Sequence, residues 1–260
     1  MARIGLIPAA GAASRISPLP CSKEIYPMGF RCEPGQGIKP KAACHALLES
    51  MAIAHAERVY MVLRSGKWDI PAYLGNGALY GLNLAYLVTD PTPGVAFTVD
   101  CAFPFVQNHV VLFGFPDIVF TPNDAFVRLL DRQQASGAGV VLGLYRAQRS
   151  HKMDMVEIDS AGRVREILIK PPATTLEHAW IIAVWTGVFT RFMHAYLSEA
   201  SAPDRSENKE LHIGAVIRAY MGEGFVVETV IFDNGQYVDI GTPEDLIAAV
   251  KAGVQGLDPQ

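Results

Sequence analysis

Short apolar runs and amphipathic stretches alternate through the first half of the chain. Arg3–Pro8, Val59–Leu63 and His109–Phe113 are apolar runs of strand length. Lys41–Ala56 has the spacing of a helix. Buried strands that alternate with helices predict an α/β fold with a mixed, mostly parallel central sheet. Further strands are predicted at Asn83–Leu87 and Gly139–Tyr145, and further helices at Gly94–Phe105 and from a cap at Asn123 to Gln134.

The pattern becomes richer in strands after Arg146. Met155–Ile158 and Val164–Ile169 flank a turn that contains glycine, which predicts a β-hairpin. Thr242 followed by Pro243 predicts the start of the last helix, because threonine caps a helix and proline fits its first position. The other predicted elements here are strands at Trp180–Trp185 and Val226–Phe232 and helices at Phe192–Glu199 and Leu211–Gly222.

The segment with the clearest chemistry is the loop that follows the first strand. Arg3–Pro8 leads directly into Ala9–Arg15, a loop made almost entirely of very small residues. Such a loop lets backbone N–H groups approach a phosphate closely. Arg15 and Lys23 supply the positive charge that a polyphosphate needs. The segment therefore predicts a binding site for a nucleoside triphosphate.

Composition and charge exclude several classes of partner. Half of the residues are hydrophobic and 18% are charged, which is enough apolar material for a sizeable core. The formal net charge is −4 and no basic stripe occurs, so nucleic acid is not an expected partner. The apolar run at the N-terminus is interrupted at Pro8 and is too short for a signal peptide or a membrane span. We expect no association with a membrane.

The cysteines form no Cys-x-x-Cys pair, and no histidine stands at a spacing that suggests zinc. We therefore interpret them as reduced thiols and expect the protein to be cytoplasmic. They are Cys21, Cys32, Cys44 and Cys101.

Two common nucleotide-binding motifs are missing. The sequence has no Gly-x-x-x-x-Gly-Lys-Ser/Thr, and Gly11 stands alone where a dinucleotide fingerprint needs three glycines. P-loop NTPases and NAD-dependent dehydrogenases are therefore disfavoured.

Several segments together resemble one enzyme family. They are Ala10–Leu19 with Ser22–Pro27, then Phe113–Asp117, the hairpin that leads to Lys170-Pro171, Trp185–Phe189, and Val238–Glu244. In this order, over residues 3–249, they resemble the sugar-1-phosphate nucleotidyltransferases, which include glucose-1-phosphate thymidylyltransferase and UTP–glucose-1-phosphate uridylyltransferase.

The resemblance implies a Rossmann-like nucleotidyltransferase fold of the GT-A-like type. It implies one domain over residues 1–260, with a nucleotide-binding half at 1–146 and a sugar-phosphate-binding half at 147–260. The implied reaction transfers a nucleotidyl group from an NTP to a sugar-1-phosphate and releases pyrophosphate, with Mg²⁺ as cofactor. The oligomeric state stays open.

The same resemblance implies roles for individual residues. Arg15, Lys23 and Lys170 are the implied catalytic cations, and Asp117 and Asp239 the implied Mg²⁺ ligands, since Mg²⁺ prefers oxygen donors. The implied nucleotide-binding residues are Ala9, Ala10, Gly11, Ala12, Ser14, Arg15, Asp90 and Gly94. The implied sugar-binding residues are Asp154, Ile169, Lys170 and Gly187.

Three of these positions depart from the family pattern. Asp90 stands where thymidylyltransferases have a glutamine that reads the base, and a carboxylate only accepts hydrogen bonds. Asp154 stands at a glycine that the sugar approaches, and Ile169 at a glutamate that holds sugar hydroxyls. The base therefore stays open, and so does the acceptor, which a non-hexose phosphate also fits.

Two other functions remain as alternatives. One is a non-catalytic subunit that binds a nucleotide or a nucleotide sugar and regulates a partner. The other is a glycosyltransferase with a similar sheet, which the absence of an Asp-x-Asp motif at Pro116–Val119 disfavours.

Overall fold

The structure is a computed structural model that describes residues 1–33, 37–200 and 210–255. The strands are β1 (Arg3–Pro8), β2 (Pro27–Glu33), β3 (Gly37–Ala42), β4 (Arg58–Arg64), β5 (Leu84–Thr89), β6 (Val110–Gly114), β7 (Ile118–Thr121), β8 (Val140–Arg146), β9 (Met155–Ile158), β10 (Val164–Leu168), β11 (His178–Trp185), β12 (Val227–Ile231) and β13 (Gln236–Asp239). The α-helices are α1 (His45–Ile53), α2 (Asp69–Leu74), α3 (Val95–Asp100), α4 (Phe103–Val106), α5 (Ala125–Ser136), α6 (Gly187–Ala200), α7 (Ile213–Gly222) and α8 (Pro243–Gln255).

The main sheet runs in the order β5-β4-β1-β6-β11-β8-β12. Strand β11 is antiparallel to both of its neighbours, and the other six strands all point in one direction. The predicted mixed, mostly parallel sheet is confirmed. Strand β11 comes from the second half of the sequence and lies between β6 and β8 of the first half, so the two halves share one sheet.

Both faces of the sheet are covered by helices. Successive residues of β1 point to opposite faces, with Ile7 in one buried cluster and Ile4 and Leu6 in the other. Helices α1 and α5 pack on the Ile7 face, and α3, α6 and α7 pack on the opposite face. Strands buried on two sides need apolar residues at nearly every position, which explains the continuous apolar runs. Among the described helices, none is long and apolar enough to cross a membrane.

The predicted hairpin of the second half is confirmed as β9 and β10, which pair antiparallel. It joins the sheet through β11, where Met155 pairs with Ala179. This attachment places the hairpin beside the carboxyl end of β6. The residues that flank the hairpin in sequence therefore lie near the carboxyl ends of the parallel strands.

Other predictions need correction. The helix predicted at Lys41–Ala56 is only α1, because Lys41 and Ala42 end β3 and pair with β2. Helix α6 begins at Gly187 instead of Phe192. The cap of α5 is Asp124 instead of Asn123, and its side chain forms no capping hydrogen bond. The errors lie where distant pairing or backbone geometry competes with local periodicity.

The cysteines agree with the interpretation as thiols. Cys21, Cys44 and Cys101 are free. Burial raises the pKa of the Cys44 thiol to about 12, so this group stays protonated. The side chain of Cys32 lies outside the described part of the structure.

Candidate active site

A cavity of about 780 Å³ opens at the carboxyl edge of the parallel strands. Pro8 at the end of β1, Arg64 at the end of β4, Pro91 after β5 and Phe115 after β6 all line it. Ligands of open α/β sheets bind at this edge, because the loops that follow parallel strands meet there. Met153, Asp154 and Lys170, which flank the β9–β10 hairpin, line the opposite wall.

The small-residue loop forms one side of this cavity. Ala10, Gly11, Ala12 and Arg15, which the sequence analysis assigns to nucleotide binding, line it. Ala13 has φ 53°, a left-handed conformation that glycine adopts without strain. The chain therefore holds this loop conformation with a residue that carries a Cβ.

Lys23 and Asp117 form an ion pair inside the cavity. The Lys23 ammonium donates a hydrogen bond to Oδ2 of Asp117, and both side chains are 15% exposed. Burial by itself would raise the pKa of the Asp117 carboxyl, but the charge and hydrogen bond of Lys23 outweigh it and hold the pKa below its ordinary value. Asp117 is therefore a carboxylate at neutral pH.

Asp239 is brought beside Asp117 by the pairing of β13 with β7. Asp239 lies opposite Ile118 in this pair, and the backbone N–H of Ile240 donates to the Asp117 carbonyl at 3.2 Å. Burial and the negative charge of Asp117 raise the pKa of Asp239. A Cβ on Gly241 would lie 3.0 Å from Asp239 Oδ1 and 3.4 Å from Arg15 Nη2, so glycine leaves room for both side chains.

The two carboxylates fit a divalent cation that would also bind phosphate oxygens of the substrate. Asp117 and Asp239 are close enough for the charge of one to raise the pKa of the other, and a cation between them would remove that repulsion. Carboxylate and phosphate oxygens are the donors that Mg²⁺ prefers. In the described ranges no cluster of three or more His, Cys, Asp or Glu residues forms a metal site, so the remaining ligands would come from substrate and water.

The cavity wall formed by the second half of the chain is where the sequence analysis predicts that the acceptor binds, and we call it the acceptor end. Lys170 has φ 41°, an uncommon conformation for a residue with a side chain. Asp154 lies near Lys170 and His212; burial raises the pKa of its carboxyl, and these two neighbours lower that pKa only in part. Asp154 Oδ1 is buried without a hydrogen-bond partner in the described structure. Its Oδ2 lies 2.4 Å from the position that a Cβ on residue 214 would occupy, so glycine at this position leaves room for the carboxylate.

The structure gathers most of the predicted site residues in this one cavity. Ala10, Gly11, Ala12, Arg15, Lys23, Gly94, Asp117, Asp154, Lys170 and Asp239 all line it. Ala9 is buried behind the loop and donates to the Val62 carbonyl at 2.8 Å, so it supports the loop from below. Ser14 and Asp90 are exposed and do not line the cavity.

Two predicted sugar-binding positions lie outside the cavity lining. Ile169 packs against Gly214, and its Cδ1 lies 2.9 Å from the position that a Cβ on Gly214 would occupy. Gly187 is buried at the start of α6, and a Cβ there would lie 2.2 Å from the Gln107 carbonyl oxygen. Close packing against that carbonyl accounts for the glycine, and a contact of Gly187 with the sugar stays a prediction.

Several residues in or beside the cavity were given no role from the sequence. Arg64 ends β4 and lines the cavity, and His212 caps the start of α7. Lys67 pairs with Glu24 at 2.5 Å between its Nζ and Oε1, with both side chains buried. The only local signal for Arg64 was a charge at the carboxyl end of an apolar run, which by itself does not distinguish a ligand-binding residue from a solvated one.

Comparison with known proteins agrees with this arrangement. A family profile described as nucleotidyl transferase matches residues 4–255. The chain is 22% identical over 248 residues to the low-salt glycan biosynthesis nucleotidyltransferase Agl11 of Haloferax volcanii, and the match covers 94% of this chain and 64% of that protein. It is 21% identical to a glucose-1-phosphate thymidylyltransferase of Neisseria meningitidis, with 95% and 81% covered.

Solved structures share the fold at low sequence identity. A Bacillus anthracis protein described as a glucose-1-phosphate thymidylyltransferase superposes with a TM-score of 0.81 at 19% identity, covering 97% of this chain and 95% of that one. A UDP-glucose pyrophosphorylase in complex with UDP-glucose superposes with a TM-score of 0.78 at 16% identity, covering 98% and 100%. The predicted fold is confirmed, and with the profile match over residues 4–255, the chain belongs to the nucleotidyl transferase family.

Proposed function

We propose that the chain transfers a nucleotidyl group from a nucleoside triphosphate to a sugar-1-phosphate, which yields an NDP-sugar and pyrophosphate. The observation that carries the proposal is one cavity in which the small-residue loop, Arg15, Lys23, the carboxylates Asp117 and Asp239, and Lys170 come together. The relatives, which include nucleotidyltransferases and glucose-1-phosphate thymidylyltransferases, support the same reaction class.

The reaction needs cations more than it needs a general base. A phosphate oxygen of the acceptor attacks the α-phosphorus, and both reactants are anions that repel each other. Arg15 at the loop and Lys170 on the opposite wall supply positive charge at the two ends of the cavity. Preorganised charge and positioning supply most of the rate in phosphoryl-type transfers.

Enzymes of this family generally use a divalent metal ion. In this chain Asp117 and Asp239 would hold Mg²⁺, which when bound neutralises charge on the phosphate oxygens. The ion pair of Lys23 with Asp117 keeps that carboxylate ionised and oriented at the same point. The Lys23 ammonium thereby supplies positive charge beside the small-residue loop, where the α-phosphate would bind.

The experiment is a matrix of nucleoside triphosphates against sugar-1-phosphates, with pyrophosphate release as the readout. We expect one pair to give Mg²⁺-dependent release that Lys170→Ala reduces at least a hundredfold, since removal of one preorganised charge costs about 3 kcal/mol. Lys251→Ala on the exposed face of α8 is the control and keeps full activity. Ligand binding without release from any pair would contradict the proposal and support a regulatory binding subunit.

A further inference from the structure

Arg64 is the last residue of β4 and lies between two cavities. It lines the main cavity and also a second cavity of about 270 Å³ on the far side of the small-residue loop. Ala12 and Lys23 are likewise shared by the two cavities. Lys67 and Asp69 line the second cavity, whereas the residues of the acceptor end line the main one.

Two of the five lysine and arginine side chains that line the main cavity have an anionic partner in the described structure. Lys23 is paired with Asp117, and Lys152 is paired with Asp245 at 2.8 Å. Lys67 of the second cavity is paired with Glu24. Arg15, Arg64 and Lys170 form no ion pair within residues 1–33, 37–200 and 210–255.

Arg64 differs from Arg15 and Lys170 in that part of its charged group is buried. Its Nε is buried and has no hydrogen-bond partner in the described structure. An unpaired buried polar atom is unfavourable, so the chain holds the Arg64 side chain at the cavity wall at a cost to stability. The planar guanidinium presents its donors as a fork that matches two phosphate oxygens.

The position of Arg64 relative to the acceptor end decides which phosphates it meets. In an in-line displacement the attacking oxygen and the leaving oxygen lie on opposite sides of the phosphorus. Asp154, Lys170 and His212 line only the main cavity, at the acceptor end. The leaving group therefore departs toward the shared boundary at Arg64.

Resting on the proposed function, we propose that Arg64 binds the β- and γ-phosphates of the nucleoside triphosphate and that the second cavity receives them as pyrophosphate. In this step an acceptor phosphate oxygen forms a bond to the α-phosphorus. The bond from the α-phosphorus to the α–β bridging oxygen breaks, and its electron pair stays on that oxygen. The charge that accumulates on the leaving pyrophosphate is stabilised by the guanidinium.

The carboxylate of Asp69, which lines the second cavity, is compatible with an anion nearby. Its two oxygens accept hydrogen bonds from Ser22, one from the backbone N–H at 2.6 Å and one from Oγ at 2.8 Å. Both oxygens are therefore engaged with the chain, and their charge is partly compensated. Glu24 is paired with Lys67 and is buried.

The test compares Arg64→Gln with Arg58→Gln, which removes the same charge from the other end of β4. Arg58 is exposed, donates to the Tyr60 hydroxyl at 3.3 Å and does not line either cavity. Titration calorimetry with inorganic pyrophosphate and Mg²⁺ should show binding weakened about tenfold to a hundredfold in Arg64→Gln, the range expected for a charged hydrogen bond, and unchanged binding in Arg58→Gln. The affinity for the nucleoside monophosphate should stay within twofold.

Kinetics in the reverse direction test the same point. The KM for pyrophosphate should rise at least tenfold in Arg64→Gln, while the KM for the acceptor phosphate in the forward direction stays within twofold. Arg64→Lys keeps the positive charge but lacks the forked guanidinium, so its KM for pyrophosphate should lie between those of the unmodified protein and Arg64→Gln. Circular dichroism checks that each variant is folded.

Equal pyrophosphate affinity and equal KM in Arg64→Gln and Arg58→Gln would overturn the inference and leave the proposed function intact. If the unmodified protein releases no pyrophosphate with any substrate pair, the proposed function itself fails.

Discussion

Lys23 donates a hydrogen bond from its ammonium to the carboxylate of Asp117, and this ion pair joins two loops that lie 94 residues apart in the sequence. Lys23 follows the small-residue loop after β1, and Asp117 follows β6, the strand next to β1 in the sheet. The pair therefore connects the triphosphate side of the cavity to the proposed metal site. Each partner depends on the other, because both are largely buried and charged.

Replacement of Lys23 should damage both activity and stability. In Lys23→Met the Asp117 carboxylate is left buried without its cation, and a broken buried pair costs about 3–5 kcal/mol. We expect urea denaturation to show a loss near the lower end of that range, and pyrophosphate release to fall at least a hundredfold. Lys41→Met is the control, because it breaks the more exposed pair with Glu49 and should cost less than about 1 kcal/mol. Equal losses in the two variants would contradict a special role for the Lys23 pair.

The proposed Mg²⁺ ligands can be tested by metal titration. Asp239→Asn removes one of the two charges that would hold the ion, so the Mg²⁺ concentration for half-maximal activity should rise at least tenfold. A chelator should abolish activity, and added Mg²⁺ should restore it. Asp159→Asn, in the exposed turn of the β9–β10 hairpin, should leave the titration unchanged. A metal requirement that is identical in Asp239→Asn would remove this residue from the site.

The buried pair of Lys67 and Glu24 should contribute strongly to stability. The side chains are 8% and 1% exposed, so Lys67→Met leaves Glu24 as a buried charge and should cost about 3–5 kcal/mol at pH 7. Glu24→Leu combined with Lys67→Met removes both charges and should recover most of the loss. If the double variant is as unstable as Lys67→Met, the loss comes from packing and not from charge.

The same pair predicts how stability depends on pH. Burial raises the pKa of Glu24 in the folded protein, although Lys67 opposes this. A carboxyl whose folded pKa lies above its unfolded value stabilises the fold below the unfolded pKa, about 4.3, and loses that contribution as pH rises through the folded pKa. Lys67→Met removes the opposing charge, so its stability should fall more steeply between pH 5 and 7 than that of the unmodified protein. Parallel stability curves would show that Lys67 does not act on Glu24.

Asp154 should set the choice of acceptor. Its carboxylate occupies space at the acceptor end where the resembling family has glycine, and Gly214 leaves room for it. Asp154→Gly should therefore raise kcat/KM for glucose-1-phosphate about tenfold relative to the unmodified protein. Asp154→Asn keeps the size of the side chain and should not. A gain in the asparagine variant as well would show that charge decides the choice, and no change in either would show that Asp154 does not contact the acceptor.

Local patterns were enough for several elements and for part of the site. The apolar run Arg3–Pro8 with its small-residue loop became β1 and the cavity wall, and the hairpin at β9 and β10 is where its turn signal predicted it. Thr242 caps α8, and its Oγ1 accepts from the backbone N–H of Asp245 at 3.4 Å. These features depend on backbone preferences and periodicity within a few residues, which is the information that a short stretch of sequence contains.

Other features had no local signal. The pairing of β7 with β13 brings Asp239 opposite Ile118, and neither short strand was predicted. Gly187 matched a family motif, yet packing against Gln107 removes it from the cavity. Which residues a side chain meets across the molecule depends on the whole packed arrangement, so a motif can be present while its residue points elsewhere.

The sequence by itself determined the α/β class, the small-residue loop after the first strand and the set of charged residues available for chemistry, because these follow from composition and short-range periodicity. Only the tertiary structure decided which of those charges neutralise each other. It pairs Lys23 with Asp117 and Lys67 with Glu24, and it leaves Arg64 without an ion pair in the described residues. The physical reason is that ion pairing requires contact within a few ångströms, and such contacts between distant segments exist only after the sheet has been assembled.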